Sequence, residues 1–269
     1  MIITERFVML NFPRTGSSFA RQVIKQAHWY HPPSLQQRVA ARLGAPPRML
    51  KDVLMKPFHF NPEYNERASA VAHGAYHQIP EEHRGKAIVT VLREPLSRLI
   101  SLYEFKAWVQ DPRPSESQVR AMHPHFPELT FEEWFRLGMG PGYAAAAPTG
   151  MRTEVGPLTL QFIRMFARDP MRTALALRDG LDLRREYRDH FPRIHYLRTE
   201  RLTVDLPRFL ISHGYSRASL RFVGHKQREN RTGRSQQRYF TPAMAAEIRH
   251  RERFFYQLFP DYLTAMKAI

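Results

Sequence analysis

The stretch from Phe7 to Phe19 constrains this chain most. Phe7-Val8-Met9-Leu10-Asn11-Phe12 is a largely apolar run that stops at Pro13-Arg14-Thr15-Gly16-Ser17-Ser18; Phe19, Val23, Ile24 and Ala27 then recur at helical spacing. A strand, a tight turn and a helix start in that order make an anion site, because the first N–H groups of the helix lack intrahelical acceptors and the macrodipole adds positive potential. Gly16 lets the backbone approach a ligand, Ser17 and Ser18 offer hydroxyl donors, and Arg14 adds a fixed cation. A phosphate or sulfate is the expected occupant. The competing reading is an ordinary capped helix after a strand. A Walker A loop fits poorly, since no Gly-Lys-Ser/Thr follows a first glycine at the required spacing.

A second strand-to-helix junction follows. Lys86 to Leu92 is apolar and β-branched, as a buried parallel strand requires. It runs into Arg93-Glu94-Pro95-Leu96-Ser97-Arg98-Leu99-Ile100-Ser101-Leu102-Tyr103. Pro95 suits a first helical turn, and Leu96, Leu99, Ile100 and Tyr103 form the inward face. Arg93 is thereby left at the carboxyl end of the strand, where open α/β sheets bind ligands. Alone, this element also reads as an Arg–Glu pair beside a capped helix.

Together the two elements resemble the sulfotransferases that use 3′-phosphoadenosine 5′-phosphosulfate (PAPS). Pro13 to Ser18 looks like their 5′-phosphosulfate loop. Arg93, Pro95, Arg98, Ser101 and Tyr103 match their Arg-x-Pro-x-x-Arg-x-x-Ser-x-Tyr/Phe 3′-phosphate motif in register. The resemblance implies one α/β domain over residues 1–269, with a central, mainly parallel sheet flanked by helices in the P-loop-like sulfotransferase fold. It implies PAPS as donor and 3′-phosphoadenosine 5′-phosphate (PAP) as product. The donor contacts it implies are Arg14, Thr15, Gly16, Ser17, Ser18 and Phe19 at the 5′ end, and Arg93 and Ser101 at the 3′-phosphate. Arg231-Thr232-Gly233, ahead of Phe240-Thr241, is similar to an Arg-Lys-Gly loop of the family, without the middle lysine and at a shorter distance; a solvated basic loop is the other reading. Ala72-His73-Gly74-Ala75-Tyr76 looks like the His-Gly/Ala-x-Tyr stretch whose histidine is catalytic in polysaccharide sulfotransferases. That makes His73 the expected base, with His59, His77 and Glu154 in reserve. Where the family usually has lysine the chain has Arg14, whose high pKa suits a charge clamp and not a proton donor. The implied acceptor is a hydroxyl, carbohydrate favoured, or an amine.

The net charge of +16 favours an anionic partner of some kind. A nucleotide kinase and a non-catalytic basic module that binds polyanions are the alternatives; nucleic acid is not expected. The absence of cysteine excludes thiol catalysis and Cys-based zinc sites. His123-x-His125 lacks an evident third ligand, and the reading needs no metal. No apolar segment has the length of a membrane span, no signal-peptide pattern opens the chain, and a cytoplasmic protein is expected.

Elsewhere, helices are expected near Leu35 to Leu43, over 61–84, from Leu158 to Ala167, from Thr173 to His190, near Leu206 to His213 and from Phe240 to Leu258. A turn is expected at Pro46-Pro47 and a strand from Arg193 to Leu202. Seven prolines punctuate 108–157, which reads as short helices and loops forming a lid or acceptor-binding insertion.

Overall fold

The computed structural model describes residues 1–30, 39, 49–224 and 236–265. The expected helix near Leu35 to Leu43 (Val39 apart), the turn at Pro46-Pro47 and Arg231-Thr232-Gly233 lie outside the described residues. Five strands form one open sheet: β1 (Ile2–Thr4), β2 (Phe7–Met9), β3 (Leu50–Asp52), β4 (Ala87–Leu92) and β5 (Ile194–Arg198), in the order β3-β1-β2-β4-β5. The pairs β2–β4 and β4–β5 are parallel, whereas β1 runs antiparallel to both β2 and β3. The sheet is therefore mixed, a correction to the mainly parallel sheet expected. Only Glu5 and Arg6 separate β1 from β2, too short a link for anything but a hairpin. Thr4 tightens that turn, its Oγ1 accepting from the Phe7 amide at 3.0 Å.

The helices are α1 (Ser17–Tyr30), α2 (Pro62–Arg67), α3 (Pro95–Phe105), α4 (Ala107–Gln110), α5 (Glu116–Met122), α6 (Phe131–Met139), α7 (Pro141–Ala146), α8 (Pro157–Phe166), α9 (Pro170–Ala176), α10 (Tyr187–His190), α11 (Leu202–Ser212), α12 (Pro242–Arg251), α13 (Arg253–Leu258) and α14 (Asp261–Ala265). Successive strand residues face opposite sides, so each strand feeds two cores. Phe7, Met9, Val89 and Val91 pack under α1 and α11. Val8, Leu10, Ile88 and Leu92 pack under α3, α6, α8, α12 and α13. Helices thus cover both faces, as buried parallel strands require.

Three expected helices are interrupted, each because side chains or distant backbone replace the helical bonds. Of 61–84, α2 and two short 3₁₀ turns are helical. Between them Val71 pairs with Met55 through two 2.8 Å backbone bonds, and the Ala72 carbonyl accepts from the N-terminal amine and from Asn11 Nδ2. The stretch from Thr173 to His190 keeps only its two ends as α9 and α10. Gln257 bonds the Leu183 amide and the Leu181 carbonyl, and Gly180 adopts φ +83°. The C-terminal helix begins at the Thr241 cap and Pro242 as expected, but breaks at Glu252.

Glu252 explains its own break. It is 0% exposed, and its carboxylate accepts from the Leu158 amide (3.0 Å), the Thr159 amide (2.7 Å) and the Thr159 hydroxyl (2.7 Å). These are groups at the start of α8 that have no intrahelical partner. A Cβ on Gly156 would lie 2.0 Å from this carboxylate, so only glycine fits there. Glu252→Ala is expected to cost roughly 3 kcal/mol or more, since it leaves buried amides unpaired and removes the counter-charge felt by Arg98. Glu252→Gln, which keeps an acceptor, should lose less. Urea unfolding of the two variants measures the difference, and a loss below about 1 kcal/mol for the alanine variant would contradict the account.

Candidate functional site

At the end of β2 the Leu10 amide makes a last rung to Val89 O, at 3.0 Å, and the chain leaves the sheet. It turns through Arg14 (φ +64°) and Gly16 (φ +83°) into α1. The Phe12 carbonyl has lost its ladder partner, and the Thr15 and Ser17 hydroxyls donate to it at 2.8 and 3.0 Å. These two residues are 0% and 4% exposed. The expectation that the Ser17 hydroxyl faces a ligand is therefore corrected, and the Thr15 hydroxyl is held inward too. The Phe19 ring is also turned inward, packed in the core beneath α1. What Ser17 and Phe19 can offer an anion is their backbone N–H. The first amide of α1 with a helical acceptor is that of Ala20, which donates to Gly16 O at 3.2 Å. Ser18 is exposed. Thr199 Oγ1 lies within hydrogen-bonding distance of both Thr15 O and Leu92 O, so the end of β5 props the turn from below.

The second junction closes over the first. Glu94 caps α3, accepting from the amides of Leu96 (2.9 Å) and Ser97 (2.7 Å), and Pro95 occupies the first turn. Arg98 is 1% exposed and lies over the Phe12 ring at 3.8 Å. Its Nε donates to Pro13 O at 3.1 Å, and its Nη2 donates to Gln161 Oε1. Burial pushes Arg98 down to about 9. One turn on, the Ser101 hydroxyl accepts from Arg14 Nε at 3.2 Å, and Arg14 lies 3.9 Å over the Phe105 ring. Burial lowers the Arg14 pKa, and the charge of Arg93 lowers it further. Arg93 is itself lowered by burial, against the opposing pull of Glu200 and Glu94. Arg14 and Arg93, with Arg98 and Ser101 buried beside them, thus gather basic groups where the two junctions meet. Arg231, Thr232 and Gly233 lie outside the described residues; Gln236, just beyond them, donates to Glu94 Oε2 (2.8 Å) and Ser97 Oγ (3.0 Å).

His73 is tied to the chain just ahead of the loop, at Asn11. Its Nδ1 lies 2.8 Å from Asn11 O, and because a carbonyl only accepts, the ring is the Nδ1–H tautomer with an electron pair on Nε2. Asn11 is buried and in turn bonds Ala72 O at 2.7 Å, so the pair is held from both sides. Burial lowers the His73 pKa below 6.5 although the bond to Asn11 opposes it. His73 is thereby neutral near pH 7, as a base must be. The reserves are placed differently. His59 accepts from Arg164 Nη1 at 2.7 Å and is pushed down to about 3 by burial, Arg164 and Arg113. His77 packs edge-on against Phe58. Glu154 is mostly exposed and pairs with Arg251 at 3.4 Å.

Beside these basic groups, α8 and the insertion α4–α7 line an open-sided cavity of about 260 Å³. Trp108, Trp134 and Tyr143 supply aromatic wall, and Arg113, Gln161 and Arg164 supply polar groups. Gln161, which lines the cavity, accepts from Arg98 and so links the cavity to the loop. Sequence reasoning matched Arg98 but did not bring it to the loop, and it missed Gln161, Arg113 and Arg164. Gln161 and Arg164, three residues apart on a helix otherwise mostly buried and apolar, are the signal that was there. It also missed a third partner for His123 and His125. The Glu133 carboxylate lies 3.8 Å from His123 Nδ1 and 3.2 Å from His125 Nε2. The three make a His₂–carboxylate donor set of the kind that binds zinc. Glu133 also completes the α6 cap, accepting from the Thr130 amide and hydroxyl at 2.8 Å.

Comparison of the chain with protein-family models, with curated proteins and with solved structures found no match in any of the three. Among the described residues, no helix is long and apolar enough to cross a membrane.

Proposed function

We propose that the protein is a sulfotransferase that moves a sulfuryl group from PAPS to an acceptor hydroxyl, on a carbohydrate by preference, or to an amine. The hydrogen bond between Arg14 and Ser101 carries the reading, because it joins the two strand-to-helix elements that the donor's two ends would need. The five-stranded sheet flanked by helices is read as a P-loop-like sulfotransferase fold with two strands, β1 and β3, added beside β2. A cytoplasmic setting belongs to the proposal.

In the proposed reaction, the acceptor oxygen attacks sulfur in line with the bridging oxygen of the 5′-phosphate. The new oxygen–sulfur bond forms as the bond from sulfur to that bridging oxygen breaks, and its electron pair leaves with PAP. The acceptor proton passes to Nε2 of His73. Arg14, the Ser18 hydroxyl and the amides at the start of α1 offset charge growing on the leaving phosphate. Arg93 faces the 3′-phosphate, with Ser101 beside it.

Thermal unfolding with adenosine 3′,5′-bisphosphate (PAP), against ATP, tests this directly. At about 100 times Kd, PAP is expected to stabilise by roughly 2.7 kcal/mol, and ATP by far less. An equal or larger shift with ATP would replace the reading with a nucleotide kinase. No shift with either, alongside steeply salt-dependent polyanion binding, would replace it with a basic binding module.

A further inference from the structure

Two arginines, Arg113 and Arg164, line the cavity between α8 and the insertion, and both approach the buried His59 outside its lining. Arg164 Nη1 donates to His59 Nδ1 at 2.7 Å, and Arg113 Nη1 stands 3.5 Å from the same nitrogen. Among the described residues, no carboxylate lies within ion-pair distance of Arg164. Arg113 pairs with Asp111 at 2.8 Å, whose side chain is largely exposed, and its guanidinium lies over the Tyr64 ring. Burial and the charge of Arg113 together depress Arg164 to about 10. Two like charges have been gathered into one partly desolvated place and share a neutral histidine. Asp111, which also lines the cavity, offsets the charge of Arg113, and Arg164 is the cation that an entering anion would match.

Resting on the sulfotransferase reading, we infer that this cavity is the acceptor site, and that it selects an acceptor sugar bearing an anionic group, carboxylate or sulfate ester, which Arg113 and Arg164 grip. Both anions present the paired oxygens that a guanidinium fork bonds. Trp108, Trp134 and Tyr143 offer flat apolar faces to the ring that carries the anion. At about 260 Å³ the space lies at or below the small end of ligand clefts, which suits one ring-sized unit of the acceptor. The location fits an acceptor: Gln161 in the cavity lining bonds Arg98, which bonds the loop at Pro13 O, and Arg164 is near enough to His73 to lower its pKa. His59 acts as a positioning residue that keeps the Arg164 fork aimed.

Calorimetric titration of the full chain with glucuronate, glucose 6-sulfate and glucose tests the inference without donor or turnover. One or both anionic sugars are expected to bind at least about tenfold more tightly than glucose, and Arg113→Gln to lose about tenfold of that affinity. The two anionic arms show which group is preferred. Arg164→Lys, which keeps the charge but not the fork, is expected to fall between wild type and Arg113→Gln. An unchanged unfolding temperature confirms that each variant is folded. Glucose binding as tightly as both anionic sugars, or folded variants of both arginines keeping wild-type affinity, would overturn the inference. A missing response to PAP would sink the donor assignment alone and leave this binding intact, so the two failures are told apart.

Discussion

His73→Ala is expected to lower turnover by about 10²–10⁴-fold while leaving the affinity for PAP within about twofold of wild type. The split follows from position. His73 touches the loop only through the Asn11 carbonyl, so its loss removes neither Arg14 nor the amides of α1. What disappears is the Nε2 electron pair, and with it the acceptor for the substrate proton. His73→Gln is the sharper control, because its amide can still donate to Asn11 O but accepts no proton. The pH profile separates a base from a structural role. The His73 pKa is lowered from 6.5, so the deprotonated form already predominates at neutrality. The rate should therefore stay level through pH 7 and decline only as acid protonates the ring below 6.5. A wild-type rate in the alanine variant would move the base elsewhere.

Arg14→Ala should do damage of another kind, a loss of about 10²–10³-fold in turnover together with weaker PAP binding by about tenfold. Arg14 is the cation of the turn, and its hydrogen bond to Ser101 joins the turn to α3. Its left-handed φ of +64° is no confounder, since alanine meets the same backbone penalty. Arg14→Lys keeps a charge and loses the bonded fork; it should recover much of the affinity and part of the rate. If folded Arg14→Ala bound PAP as wild type does, the 5′ end of the donor would have to lie elsewhere.

Much of the site's location was legible because it depends on local chain logic. Pro13 to Ser18 and Arg93 to Ser101 each follow an apolar strand and open a helix, and both features survive as β2–α1 and β4–α3. The cap-then-Pro start at Thr241-Pro242 was legible for the same reason. The role of each hydroxyl was not. Which way the Thr15 and Ser17 side chains turn depends on the Phe12 carbonyl running out of ladder partners, a fact of strand pairing. The helix expected over 61–84 failed because Met1, Asn11 and Met55, all distant in sequence, supply the bonds that a helix would have made internally.

The chain's own order of residues settled where strands give way to helix starts, since turn glycines, first-turn prolines and apolar spacing act over a few positions. It also settled that the surface would be basic. Folding alone decided that Arg14 meets Ser101, that Arg98 lies on Phe12 and that Arg164 shares His59 with Arg113. Those contacts join segments between 54 and 105 positions apart, and no short-range preference encodes them; they exist because sheet pairing and the packing of α3 and α8 bring their side chains together.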